Sequence, residues 1–260
     1  MASTLSLSKD ALVRQALEQM QTELPVAQWT PRQQVALTCR ILFDQGHDSG
    51  LAGQITARGV DGSTFLTQRL GLGFDEVTAS NLLRVDEDLT VVEGSGMPNP
   101  ANRFHSWIYR ARPDVRCVIH THPLHVSALS MLERPLQVSH MDACMLYDDV
   151  AFLAEWPGVP VGNSEGELIA GVLGNKRAAL LAHHGLVVAG TTIEEACVVA
   201  VQCERAARLQ LLAMAAGEIK PIAQPLAREA HDWILQPRRS QAGFDYFARR
   251  ALRKDPNCVD

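Results

Sequence analysis

No stretch of this 260-residue chain is apolar for long enough to cross a bilayer as a helix. Its first residues, MASTLSLSKDALVRQALEQM, lack the apolar centre and cleavage site of a secretory leader. These absences argue against a membrane partner and lead us to expect a cytoplasmic protein. No CxxC pair occurs: Cys39, Cys117, Cys144, Cys197, Cys203 and Cys258 are scattered. That spacing argues against a disulfide framework and predicts reduced, mostly buried thiols. Basic charge is not in surplus either. The 24 Lys and Arg against 29 Asp and Glu leave a formal net charge of −5. A general nucleic-acid binder would want a basic face. A small anionic substrate held by a few local arginines stays open. Internal repeats and low-complexity segments are absent as well.

What is present is ordinary soluble composition, 47% hydrophobic and 20% charged, with ample length for a buried core. We expect a single domain over 1–260. Helical spacing runs through residues 8–22, with Leu12, Ala16 and Leu17 on one face. Thr30-Pro31 reads as the cap and first position of a second helix reaching about Asp44. GQITARGVDGSTFLT reads as two strands about an Asp61-Gly62 turn. Further strands are predicted at 87–93, at RCVIHTH (116–122), at GVPV (158–161), at AALLAHH (178–184) and at LVVAG (186–190). Helices are predicted over 101–114, from Pro123, and between Ser164 and Leu173, where Ser164 and Glu167 have capping-box spacing. A long helix from about Ile193 to Ala216 is capped by Thr192. The polar tail 222–256 offers Trp233 and GFDYFARR as packing anchors. Strands and helices mix without strict alternation, which favours a layered α/β domain with a largely antiparallel or mixed sheet.

Three of the nine histidines fall between positions 120 and 125, in VIHTHPLHV. On a strand, His120 and His122 point to one face. Pro123 then opens a helix, so the pair sits at a strand end, where a site can face solvent. A catalytic divalent ion usually takes three protein ligands and keeps an open position. ALLAHHGLVVAG supplies His183 and His184 at the end of another apolar strand. HxH alone is equally compatible with two hydrogen-bonded core histidines; with the HHG strand end beside it, metal binding is the better reading. His125, one turn into the next helix, reads as a packing or supporting residue. His105 reads as supporting or as polar surface.

Those residues resemble the class II aldolase/adducin family. RPDVRCVIHTHPLHVSAL looks like its metal strand and following helix, and LLAHHGLVVAGTTIEEA like its second metal element. GQITAR, TASNLLRVD, FHSWIYRARPD and the helix after Thr192 extend the similarity over about residues 30–217. By register with the family, the third ligand is His184. The resemblance implies a three-layer α/β/α sandwich around a mainly antiparallel sheet. It further implies a homotetramer with sites at subunit interfaces, and one divalent ion per chain: zinc by preference, or manganese or iron. Activity is then that of a carbon–carbon lyase, aldolase or decarboxylase, working through a metal-stabilised enolate on a small oxo or hydroxy compound.

The chain departs from the aldolases in three ways. Where they carry a glutamate four residues before the histidine of FHSWIY, this chain has Ala101. Their phosphate-binding pairs correspond to Gly53-Gln54, TQRLG (67–71) and Asn99-Pro100; few hydroxyls remain, and a prolyl nitrogen donates nothing. Arg69 appears in that loop and is suited to a carboxylate, although a solvated surface arginine is an equal reading. We therefore take Gln54, Arg69 and Asn99 as candidate substrate contacts. Asp142, in SHMDACMLYDD, resembles the segment in which the family's epimerase carries a catalytic aspartate, and it is the candidate acid/base; a turn-capping aspartate is the bland alternative. Tyr246, as a C-terminal tyrosine, is a second candidate donor or else a packing anchor, and Tyr147 a further donor. The losses move the expected chemistry from sugar phosphates toward a non-phosphorylated acid. The alternatives are a mononuclear iron oxygenase on the same fold and a non-catalytic, adducin-like interaction protein.

Overall fold

The computed structural model describes residues 4–260. One eight-stranded sheet organises them. Its strands are β1 (Gln54–Arg58), β2 (Phe65–Thr67), β3 (Leu83–Val85), β4 (Val91–Glu93), β5 (Cys117–Thr121), β6 (Val150–Leu153), β7 (Ala178–Leu181) and β8 (Gly185–Gly190), in the order β4-β3-β2-β1-β5-β8-β7-β6. Every neighbouring pair is antiparallel except β6 and β7. The helices are α1 (Lys9–Glu23), α2 (Pro31–Asp44), α3 (Asn102–Ala111), α4 (Leu124–Ser130), α5 (Asn163–Leu173), α6 (Ile193–Ala216), α7 (Gln224–Ile234) and α8 (Pro237–Lys254).

Side-chain alternation divides the core. Ile55, Cys117, Ile119, Leu180, Leu186 and Val188 pack with α2, α4, α6 and α8 on one face. Val118, Ala179, Leu181, Val187 and Ala189 pack with Phe104, Ile108 and Ile169 of α3 and α5 on the other. The three-layer α/β/α architecture with a mainly antiparallel sheet is the one expected. α3 and α5 approach closely because Gly166 has no side chain: a Cβ there would meet Trp107 Cδ1 at 2.5 Å. The six cysteines are buried and unpaired. No described helix is long and apolar enough to cross a membrane.

Several local expectations are corrected. GVPV is not a strand; Pro157 and Pro160 deprive that segment of backbone donors. The edge strand is β6, hidden in the sequence between Asp148-Asp149 and the proline-rich turn. α5 starts at Asn163 with Gly162 as its N-cap, so Ser164 lies inside the helix and makes no capping box. In the expected strand 87–93 only Val91–Glu93 pairs, and Leu83–Val85 forms a strand that the sequence reading missed. The tail folds into α7 and α8. The Thr30 capping box, with Gln33 reaching back, forms at α2, and Thr192 caps α6 through the Glu195 N–H.

Candidate metal centre

β5 runs through the middle of the sheet and ends at Thr121. His120 occupies its last inward position on the α3 face, and His122 follows the strand. β7 stops at Leu181, three residues short of the end of the expected strand (178–184), so His183 and His184 stand in the turn to β8. His183 adopts a left-handed backbone, φ 57°, which turns the chain and leaves His184 facing the end of β5. The His183 side chain points elsewhere and reaches Glu133 Oε1 at 2.9 Å.

His120, His122 and His184 therefore converge. Their ligand atoms all lie within 4.8 Å of one another, with no carboxylate in the group. Ring centroids are 4.7–4.8 Å apart in every pair. His120 is buried; His122 and His184 are half-buried, so one side of the cluster is open. His120 Nδ1 donates to the Leu186 carbonyl at 2.9 Å, which leaves Nε2 as its free lone pair. That Nε2 lies 3.0 Å from Nε2 of His122. A single N–H···N bond satisfies only two of the three inward nitrogens, whereas a cation satisfies all three. Burial holds the rings neutral, the form that binds a metal. It pushes His120 well below the usual imidazole range, with His184 and His122 adding to the effect, and lowers His122. It brings His184 down to about 4, again helped by His122. The residues fit a divalent ion with nitrogen ligands and an open position.

Support comes from behind and beside the strand. His47 Nδ1 bonds the Thr121 hydroxyl at 2.8 Å from the opposite face. Glu204 of α6 accepts the backbone N–H groups of His125 and Val126 at 3.0–3.1 Å and bonds His125 Nδ1 at 2.5 Å, capping α4 directly after the site. The sequence reading missed both His47 and Glu204. A single glutamate inside the apolar run VVAVQCERAA was the available signal for Glu204; His47, in a glycine-rich loop without periodicity, gave none.

The candidate substrate contacts fall into one connected patch. Gln54 sits opposite His120 across the β1–β5 ladder. Asn99 Nδ2 donates to Gln54 Oε1 at 3.5 Å. Arg69 pairs by backbone with Pro98, next to Asn99, and its stem lies against Gly96. The Arg69 guanidinium has no hydrogen-bond partner among the described residues. Asn99 also has a structural task, since its Oδ1 accepts the Ala101 N–H at 2.9 Å. Ala101 is the N-cap of α3 and offers only a methyl group there.

Asp142 and Tyr246 are placed differently. Asp142 lies in a 3-10 turn, bonds Arg205 at 3.2 Å, and lines a cavity of about 230 Å³ with Met145, Val198 and Gln202. Tyr246 is half exposed on α8, against Phe247 and Arg250. None of their contacts reaches the three histidines of the same chain. Tyr147 packs under the Arg228 guanidinium.

Comparison with known proteins places the fold in a family. The family model described as "Class II Aldolase and Adducin N-terminal domain" matches residues 33–211. A 4-hydroxy-3-prenylphenylpyruvate oxygenase/4-hydroxy-3-prenylbenzoate synthase of Streptomyces roseochromogenus subsp. oscitans is 37% identical over 192 residues, 73% of this chain and 68% of the relative. Decarboxylase NovR of Streptomyces niveus is 36% identical over 221 residues, 84% of this chain and 81% of the relative. The solved L-fuculose 1-phosphate aldolase from Glaciozyma antarctica PI12 superposes with a TM-score of 0.81 at 29% identity, covering 88% of this chain and 91% of that one. A matching family model over most of the chain, relatives above 30% identity and a shared fold together establish that this protein belongs to the class II aldolase and adducin family.

Proposed function

We propose that the chain is a divalent-metal-dependent carbon–carbon lyase of the decarboxylase type, acting on a small, non-phosphorylated oxo or hydroxy acid. The convergence of His120, His122 and His184 as three neutral imidazoles carries this reading. They hold the ion, zinc by preference. A bound cation polarises a carbonyl and spreads the charge left on carbon when the neighbouring bond breaks. Gln54, Asn99 and Arg69 position the substrate, with Arg69 presenting a free guanidinium to a carboxylate.

The position of Ala101 supports decarboxylation over aldol cleavage. Aldol cleavage needs a base to take a hydroxyl proton, and a methyl group supplies none. In decarboxylation the bond to the carboxylate carbon breaks, carbon dioxide leaves, and the electron pair on the remaining carbon takes up a proton. The relative named a decarboxylase is in keeping with this. The assembly we expect is a homotetramer with sites at subunit interfaces. The exposure of Asp142 and Tyr246, away from their own chain's triad, accords with service to a neighbouring copy.

Elemental analysis of purified wild type and His122→Ala tests the proposal. About one ion per chain, lost in the variant, supports it; none in either, even after metal is added back, sinks it. A second reading, a mononuclear iron oxygenase, is favoured by the relative named an oxygenase and by a ligand set of neutral nitrogens with open positions. Iron-dependent oxygen uptake with no lyase turnover would select it.

A further inference from the structure

The sheet face that carries His120 is apolar almost everywhere else, yet beside His120 it turns polar. Gln54 lies opposite His120 in the antiparallel ladder, so the two side chains project to the same face. Thr56, two residues along, shares that face, and its hydroxyl bonds His105 Nδ1 at 2.8 Å. Thr67 lies opposite Thr56 and accepts Asn102 Nδ2 at 3.0 Å. Phe104 ties the patch to the triad, with its ring centroid 5.3 Å from that of His120 and 4.4 Å from that of His105.

Three polar atoms in this patch have no partner: Gln54 Nε2, Asn102 Oδ1 and His105 Nε2. Their residues are 2%, 0% and 1% exposed. Buried polar atoms are normally paired, and several left over in one place ask for a guest that pairs them. The patch is also uncharged. Burial pushes His105 down to about 3, so its ring stays neutral. Rotating either amide exchanges donor for acceptor without adding a charge. Gln54, Asn102 and His105 themselves supply no cation to pair an anionic group, whereas a hydroxyl, which both donates and accepts, matches their mixture of donor and acceptor atoms.

We propose that Gln54, Asn102 and His105 form a subsite beside the imidazole triad that takes an uncharged hydroxyl group of the substrate. The proposal rests on the reading of the triad as a metal centre. It narrows the substrate to a hydroxylated compound that is not phosphorylated at that oxygen.

Calorimetric titration of the zinc-loaded full chain with acetohydroxamate and glycolohydroxamate tests it. Both chelate zinc through the same two oxygens and differ by one hydroxyl. Glycolohydroxamate should bind at least about tenfold more tightly, because a site built for a hydroxyl discriminates against its absence. Gln54→Met and Asn102→Leu, each checked for folding by circular dichroism, should reduce that advantage to about twofold or less; the ratio of the two affinities is the readout, because a loss shared by both probes cancels in it. Equal binding of the two probes by wild type, or an advantage that survives both substitutions, overturns the subsite alone. Tighter binding of the O-phosphorylated glycolohydroxamate overturns its uncharged character. If the full chain takes up no zinc, as elemental analysis before the titration reads, the metal reading of the triad falls and the subsite with it; zinc-loaded protein that binds neither hydroxamate overturns the subsite alone.

Discussion

Gly185 lies so close to His122 that a Cβ on it would meet His122 Cδ2 at 2.7 Å and the Thr121 carbonyl oxygen at 2.6 Å. The missing side chain lets the turn after His184 close against the end of β5. Gly185→Ala must therefore push His122 and the strand end away from His184. We expect zinc affinity to fall by at least about tenfold, roughly the 1.4 kcal/mol that a displaced ligand readily costs. Competition against a chelating dye measures this, and an unchanged zinc affinity would refute it.

Glu204 joins α6 to the first turn of α4 through two backbone N–H groups and the His125 ring. α4 has only seven residues and no other side-chain cap. Replacing the carboxylate by an amide turns an NH2 group toward donors. Glu204→Gln should destabilise the fold by about 2 kcal/mol, the scale of a hydrogen bond to a charged group. Urea denaturation checks this; a midpoint equal to that of wild type would contradict it.

His47 and His105 predict how stability responds to acid. Burial pushes both down to about 3, against an ordinary value of 6.5. Below pH 6.5 the unfolded chain takes up these protons and the folded chain does not. The stability they allow is thus complete above pH 6.5 and is lost as pH falls toward 3. At pH 5 the loss is about 2 kcal/mol for each ring. Urea midpoints at pH 7.5 and pH 5 should differ less for His47→Leu than for wild type. An equal pH dependence would count against the neutral, buried ring.

Asp142→Asn and Tyr246→Phe should leave metal stoichiometry at the wild-type value, since neither residue contacts the triad of its own chain. Elemental analysis settles the point. Loss of metal in either variant would mean that these side chains reach the ligands after all.

Much of the site was legible because its chemistry is local. VIHTHP carries two imidazoles at strand spacing and a proline that starts the next helix, and both features survive in the fold. The layered architecture followed from the mixture of strands and helices and from the family resemblance. Boundaries were less legible where turn chemistry competes with hydrophobicity. GVPV is apolar enough for a strand, yet Pro157 before it and Pro160 within it remove ladder donors, while VAFL, preceded by two aspartates, pairs with β7.

By itself the sequence determined which residue types were available for the centre, the strand that carries His120 and leads into His122, and the absence of a carboxylate at Ala101. Those are properties of neighbours along the chain, set by side-chain period and by residue identity. Register with the family already named His184 over His183; the tertiary structure supplied the physical reason, a left-handed turn at His183 and a glycine pressed against His122. It alone showed Gln54 opposite His120, Glu204 beneath α4, and Asp142 beside Arg205. Such relationships join residues dozens of positions apart, and no local periodicity encodes them. Strand pairing and helix packing bring them together, because burying the two apolar faces of one sheet leaves few ways to bring these elements into contact.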